Sequence, residues 1–307
     1  MKNTACPPKG SEPLMSTSRH RWQGLIYLMP ALLVITMAVG YPIVHLFEMA
    51  FGQTNSFGII TGNAGFKNFS GLFASGLMRV MLNTVIWTAG ILVPTIIISL
   101  ALAYAVSLPL KGQSFFRTII IIPWAIPLTI VAILGDMAFN STYGQVNTLL
   151  LQLHLISHPI GWLATARTSF PVMMILAIWV SIPFTTLTLL SGIQAVPGEI
   201  LEASAIDGAK GFYRFRKIIL PQITNALQLV VLINLAYIFN SFPIIWIMTQ
   251  GGPASTSSTI TIFVYQLAFT LGQFGQAGAA ALLAFIILMG LGVAYVKVYR
   301  RTEGNLL

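Results

Sequence analysis

Residues 218–258 read IILPQITNALQLVVLINLAYIFNSFPIIWIMTQGGPASTSS, and this stretch decides the fold. It carries no charged side chain, and the charge-free run extends from Lys217 all the way to Lys297. About 20 apolar residues in a helix cross the hydrocarbon core of a bilayer, so this run is far too long for one crossing. Its polar, turn-rich middle, Thr249-Gln-Gly-Gly-Pro-Ala-Ser-Thr-Ser-Ser258, divides it. One span is expected over 223–247 and another over 278–298.

The same reading extends toward the N-terminus. Uncharged apolar runs predict spans over 25–47, 82–106, 118–138 and 171–193, making six helices in an all-α membrane protein. Composition agrees. Only 7% of residues are charged and the mean hydropathy is +0.83, whereas a soluble domain carries about 25% charge. A soluble enzyme is thereby excluded, and so is a disordered chain. The single cysteine, Cys6, excludes a disulfide scaffold.

The net charge of +9 could suggest nucleic acid in a soluble protein. In a membrane protein, basic residues instead set orientation. Lys2, Lys9, Arg19, Arg21, Lys111, Arg117, Lys210, Arg214, Arg216, Lys217, Lys297, Arg300 and Arg301 fall on one side of the six spans; only Lys67, Arg79 and Arg167 fall on the other. The asymmetry places both termini in the cytoplasm. Residues 1–24 and 299–307 are then short cytoplasmic tails flanking a membrane domain over 25–298. The first span reaches full crossing length and reads as a retained helix rather than a cleaved leader.

Prolines 30, 42, 94, 123, 127, 183 and 243 interrupt the spans. Each removes a backbone bond that a neighbouring helix or cavity water must replace, and broken helices often line translocation paths. Ionisable residues are nearly absent inside the spans, Asp136 at the end of the third being the exception, so a proton or sodium relay is not expected. Neutral polar groups occur instead: Asn83, Asn234, Tyr237, Asn240 and Ser241 are candidate path residues. Asn234, Tyr237 and Ser241 recur at three- and four-residue steps, on one helix face. Amide, hydroxyl and aromatic groups suit a hydroxyl-rich neutral solute, and equally suit hydrogen bonding between helices.

Catalytic and metal constellations are missing. No GxxxxGK[ST] phosphate loop occurs. His20, His45, His154 and His158 have no ligand-type spacing with an acidic or cysteine partner.

The charged connection between the fourth and fifth spans, Pro197 to Pro221, reads as two short helices around a glycine turn. Pro197 opens the first, with Glu199 and Glu202 near its positive end. Gly208 closes it, and Arg214, Arg216 and Lys217 sit late in the second, where cations suit the dipole. Small residues Ala203, Ser204, Ala205 and Gly208 admit a close approach by another protein.

Glu202-Ala203-Ser204, Asp207-Gly208-Ala209 and Ile219-Leu220-Pro221 resemble the EAA loop of ABC importer permeases. The family's form has a second alanine where Ser204 stands and a proline where Asn225 stands. Further segments are similar to the maltose/glycerol-3-phosphate type of carbohydrate permease: Arg117 to Asn147 with its Gly144-x-x-Asn147, Trp162-Leu163, Trp179 to Pro183, Met248-Thr-Gln-Gly-Gly-Pro253, Tyr265 to Phe269 and Gly275 to Ala281. The family often has an aromatic and a basic residue where Gly135 and Asp136 stand. The resemblance covers 25–298.

What it implies is specific. The fold would be that of a type I ABC importer permease in a bacterial or archaeal inner membrane. Such a permease is a non-enzymatic transport subunit for a sugar or polyol. It would pair with a second permease in a heterodimer, with two ATP-binding subunits and an extracytoplasmic solute-binding protein. ATP and magnesium would be bound by the ATPase subunits, with no cofactor in this chain and no nucleic-acid partner. Glu202, Ala203, Ser204, Asp207, Gly208 and Ala209 would form the coupling loop, at 197–221. A glycerophosphate-type solute and an ATP-independent carrier are the alternatives.

Overall fold

The computed structural model describes residues 27–108, 111–253 and 255–304, with side chains described as far as residue 297. The tail at 1–24, with Cys6, His20 and four of the basic residues, lies outside the described residues. The chain divides into two units, Met1–Glu48 and Met49–Leu307.

Helix α1 spans Tyr27–Phe51, with a wide π-helical turn at Thr36–Gly40 before Pro42. From Tyr27 to Met49 none of its side chains is buried. Then come strands β1 (Gly52–Thr54) and β2 (Ile60–Asn63), paired antiparallel as a hairpin, and the short helix α2 (Lys67–Ala74). The remaining long helices are α3 (Leu77–Ser107), α7 (Ala166–Gln194) and α14 (Phe274–Gly304). Each is apolar and long enough to cross a bilayer. Helix α14 is continuous beyond 298, so the boundary expected there is not a helix end.

Two expected spans are broken. The third is a pair, α4 (Gln113–Ala125) and α5 (Leu128–Ala138), bent by 87°. Ile126 is extended, at ψ 126°, as a residue before proline prefers to be. Pro127 then opens α5. The span expected over 118–138, with its prolines at 123 and 127, is therefore two arms, and α5 turns to pack on a later helix. The fifth consists of α11 (Thr224–Phe239) and α12 (Pro243–Thr249), separated at Asn240–Phe242. Pro243 sits in the first turn of α12, where its missing N–H costs nothing. A further apolar helix, α13 (Ile260–Tyr265), continues through a π-helical turn to Thr270. It precedes α14 and was not expected.

The core within the second unit has two parts. Trp87 of α3, Phe170 and Met173 of α7, Ile238 of α11, Ile244 and Ile245 of α12 and Ile262 of α13 form one. Ala103, Leu189, Leu190, Ile193, Ile219, Ile223 and Val230 form the other. The pairing of α3 with α7 is the spine. Helices α7 and α11 approach closely at Gly192, where a Cβ would lie 2.7 Å from Cβ of Ala226. Small residues allow this contact, which in lipid replaces the hydrophobic effect as the source of helix association. Between α4/α5 and α7, the buried side chain of Asn147, in helix α6 (Gln145–Gln152), fixes the connection. It donates to Ile160 O at 3.0 Å and accepts from Ile160 N at 3.1 Å and Trp162 Nε1 at 2.9 Å.

Candidate functional site: a glycine-capped turn and a neutral cleft

The connection after α7 begins with Pro197, whose carbonyl accepts from Ile200 N at 3.1 Å. Helix α8 (Gly198–Ile206) follows. Gly208 stops it in the left-handed region, at φ +76°. Ala209 N donates to Ser204 O at 2.9 Å and Gly208 N to Ala205 O at 3.1 Å. These are the two bonds of a Schellman cap, which requires a left-handed residue at this point and so favours glycine.

The cap sorts the six candidate residues. Ser204 and Ala209 are buried, and Ser204 Oγ donates to Leu201 O at 2.7 Å. Glu202, Ala203, Asp207 and Gly208 are exposed. So is Ile206, at 87%. A fully exposed isoleucine on a tight turn is a signal that composition alone does not supply. Two contacts brace the turn. Arg214 Nη2 donates to Leu201 O at 2.9 Å, and Tyr104 of α3 donates its hydroxyl to Gly211 O at 3.2 Å. The Tyr104 ring lies 4.8 Å from that of Phe215.

The second half of the connection is the expected second helix, with a wide turn inside it. It runs as α9 (Gly211–Arg214), a π-helical turn over Phe215–Ile219 and α10 (Leu220–Gln222). Arg216 and Lys217 thus lie in the wide turn. Pro221 has no N–H to return to that turn.

The second region lies where α4, α7 and α11 meet. A cavity of about 260 Å³ is lined by Trp124, Val180, Ser181, Phe184, Ile233, Asn234 and Tyr237. Asn234 is buried and donates Nδ2 to Thr185 Oγ1 at 3.1 Å and to Val230 O at 2.9 Å. It therefore ties α11 to α7. Tyr237 is half exposed and also reaches an adjoining small pocket beside Trp87 and Ser241. Asn234, Tyr237 and Ser241 are thus brought together, although Ser241 lies beyond the end of α11 rather than on it.

The local sequence builds this wall. Pro183 removes a backbone donor within α7, and hydroxyls nearby bond back to the ladder: Ser181 Oγ to Ala177 O at 2.7 Å and Thr185 Oγ1 to Ser181 O at 2.8 Å. Trp124 sits one residue before the end of α4 and is 63% exposed, because the bend turns the chain away beneath it. No acidic or basic residue lines the cleft. Its chemistry is aromatic faces, one phenol, one hydroxyl and one amide. Such a surface suits a neutral, hydroxylated molecule.

Two other candidates lie elsewhere. Asn83 donates Nδ2 to Thr256 O and to Ser258 O, both at 3.0 Å. Its amide pins the 250–259 loop to α3. Asn240 is exposed, and donates Nδ2 to Ala236 O at 2.9 Å at the end of α11. Trp124 and Phe184, which sequence patterning passed over as ordinary apolar residues, replace them on the wall. Asp136 is half-buried on α5, beside the tightly packed Gly135. Among the described residues, no three His, Cys, Asp or Glu side chains gather as a metal site.

Comparison with known proteins gives a consistent set. The family described as "Binding-protein-dependent transport system inner membrane component" matches residues 95–301. That range contains both regions. A probable ABC transporter permease protein of Brucella suis biovar 1 is 37% identical over 277 residues, covering 90% of this chain and 96% of that one. The trehalose/maltose transport system permease protein MalF of Thermococcus litoralis is 29% identical over 298 residues, covering 94% and 97%. A chain of a bacterial ABC transporter involved in importing the acidic polysaccharide alginate superposes with a TM-score of 0.81 at 23% identity, over 94% of this chain and 99% of that one. At that identity the superposition establishes the fold.

Proposed function

We propose, for a chain that belongs to the binding-protein-dependent transport system inner membrane component family, that it is one of two permeases forming the path of an ATP-driven sugar or polyol importer. Its relatives are permeases, and it is a multi-pass membrane permease rather than a catalytic subunit. The membrane is the bacterial or archaeal inner membrane, with both termini cytoplasmic. The observation that carries the reading is the outward face of the α8 turn. Glu202, Ala203, Asp207 and Gly208 flank the exposed Ile206 on a segment braced from behind by Tyr104 and Arg214. A stiff, small-residue turn with one apolar knob is suited to seating in a groove of an ATP-binding subunit.

On this reading, closure of the ATPase pair around ATP pulls on the turn and biases the permeases between inward and outward access. A solute-binding protein delivers the sugar to the opposite side. The second permease completes the cleft, whose Tyr237, Trp124 and Phe184 face out of the chain. ATP and magnesium belong to the ATPase chains. A neutral sugar is favoured over a glycerophosphate because no basic side chain lines the cleft, and the trehalose/maltose relative supports a saccharide.

The test is purification of tagged chain from its native membrane, with identification of the chains that accompany it. A second permease and an ATPase, with uptake in liposomes that needs ATP, support the proposal. A chain that purifies alone and transports without ATP overturns it in favour of a self-sufficient carrier.

A further inference from the structure

At the end of the bundle opposite the coupling turn lies a polar groove of about 460 Å³. The connections from α1 to α3 and from α12 to α14 form it: the β1–β2 hairpin, the first turn of α2 and the residues leading into α14. It shares no residue with the Tyr237 cleft. Apart from Ala64 and two glycines, its wall is made of asparagine, glutamine, serine and threonine with one cation, Lys67, and no acid.

Part of this polarity holds the hairpin together. Asn68 donates Nδ2 to Ala50 O and Gly52 O, both at 2.9 Å. Thr54 Oγ1 accepts from Gly275 N at 2.8 Å. Asn55 Oδ1 accepts from Phe57 N and Ile59 N, and Asn63 Oδ1 accepts from Gly65 N. The other part is not used by the fold. Among the described residues, the amides of Gln53 and Gln273 make no hydrogen bond, and Asn55 and Asn63 keep their NH2 groups free. All four residues line the groove together with Lys67.

A free primary amide offers two donors and a carbonyl acceptor, and a sugar hydroxyl both donates and accepts, so the two sets pair without a charge on the ligand. The volume lies within the usual range of small-molecule sites, about 300–1,000 Å³. We infer that this groove is a second saccharide site, which holds a hydroxyl-rich neutral sugar on the side away from the coupling turn before it reaches the cleft. Gln53 and Gln273 are its recognition residues, and Lys67 donates to a hydroxyl or ring oxygen. The inference rests on the sugar reading above.

The test uses the assembled transporter in lipid nanodiscs without its binding protein. Maltose, trehalose and maltotriose serve as probes, and hydrogen exchange is followed in peptides covering 52–63 and 231–241. Two variants are compared, Gln53→Ala/Gln273→Ala and Tyr237→Ala. Both glutamines are exposed, so the double variant retains the fold. At least one probe is expected to protect 52–63. The double variant should weaken that protection by about tenfold, as expected for two lost hydrogen bonds, and Tyr237→Ala should leave it unchanged. Protection confined to 231–241 overturns the second site while leaving the cleft reading intact. Protection of 52–63 by none of the three sugars overturns it as well. If sugar-free binding protein alone protects 52–63, the groove is a protein-docking surface and the inference falls.

Discussion

Replacing Gly208 by aspartate separates the role of the coupling turn from the stability of the chain. Gly208 sits at φ +76°, where a side chain costs about 1–2 kcal/mol, and less for Asn or Asp. A Cβ built there meets nothing within 4 Å. The internal cost is then the backbone cost alone, about 1 kcal/mol, against a typical folding stability of about 5–15 kcal/mol. The chain should insert and fold, with the Schellman bonds retained. Any larger loss must arise outside the chain, from a carboxylate added beside the exposed Asp207 on the face that the proposed function offers to an ATP-binding subunit. Gly208→Asn is the control, since it has the same size and the same tolerance of the left-handed region but no charge. The assay compares thermal unfolding of each permease with ATP-driven uptake in proteoliposomes carrying all partner chains. Melting temperatures equal for the two variants and only about 2–4 °C below that of the parent, abolished uptake for Asp and reduced uptake for Asn are expected. Normal uptake by a well-inserted Gly208→Asp refutes the argument. A collapse in melting temperature that accounts for the lost uptake refutes it too.

Other substitutions probe the remaining features. Ile206→Asp alters an 87% exposed residue, so melting should not change while co-purification of the ATP-binding subunit falls by about tenfold, as for a hot-spot contact. Asn147→Ala removes three good hydrogen bonds of a buried side chain and should cost about 3 kcal/mol, read as a lower melting temperature. Tyr237→Ala should reduce uptake with melting unchanged, whereas Asn234→Ala should lose about 0.6 kcal/mol of stability from its bond to Thr185. If both leave uptake untouched under limiting solute, the cleft is not on the path.

The crossings are legible in the sequence because charge is excluded from the bilayer interior, so gaps between charged residues mark them almost directly. The bend in the third span is less legible. Pro123 and Pro127 are visible, but prolines at Pro94 and Pro183 leave their helices continuous. What turns α5 is its packing on α12, a contact between segments over a hundred residues apart. The coupling turn reads well because glycine is required locally for the left-handed cap. Which of its residues face outward does not read well, since Ser204 is buried while its neighbours Ala205 and Ile206 are exposed, and the tertiary brace behind the turn decides this. The candidate path residues divide for the same reason. An asparagine in a span signals a hydrogen bond; only packing decides whether its partner is a loop, as for Asn83, a helix, as for Asn234, or its own helix end, as for Asn240.

One consequence concerns α3. A helix of 31 residues is about 46 Å long at 1.5 Å per residue. Near one end its Tyr104 grips the coupling turn; near the other its Asn83 grips the 250–259 loop. The two loops are the ends of a single rod. Asn83 and Tyr104 lie about 32 Å apart along it, so a tilt of about 5° with one held displaces the other by about 3 Å. Pro94 inside it, where a backbone bond is missing, is a place where such a rod can give. On the proposed function, its stiffness sets how much of a pull at one end of the helix arrives at the other.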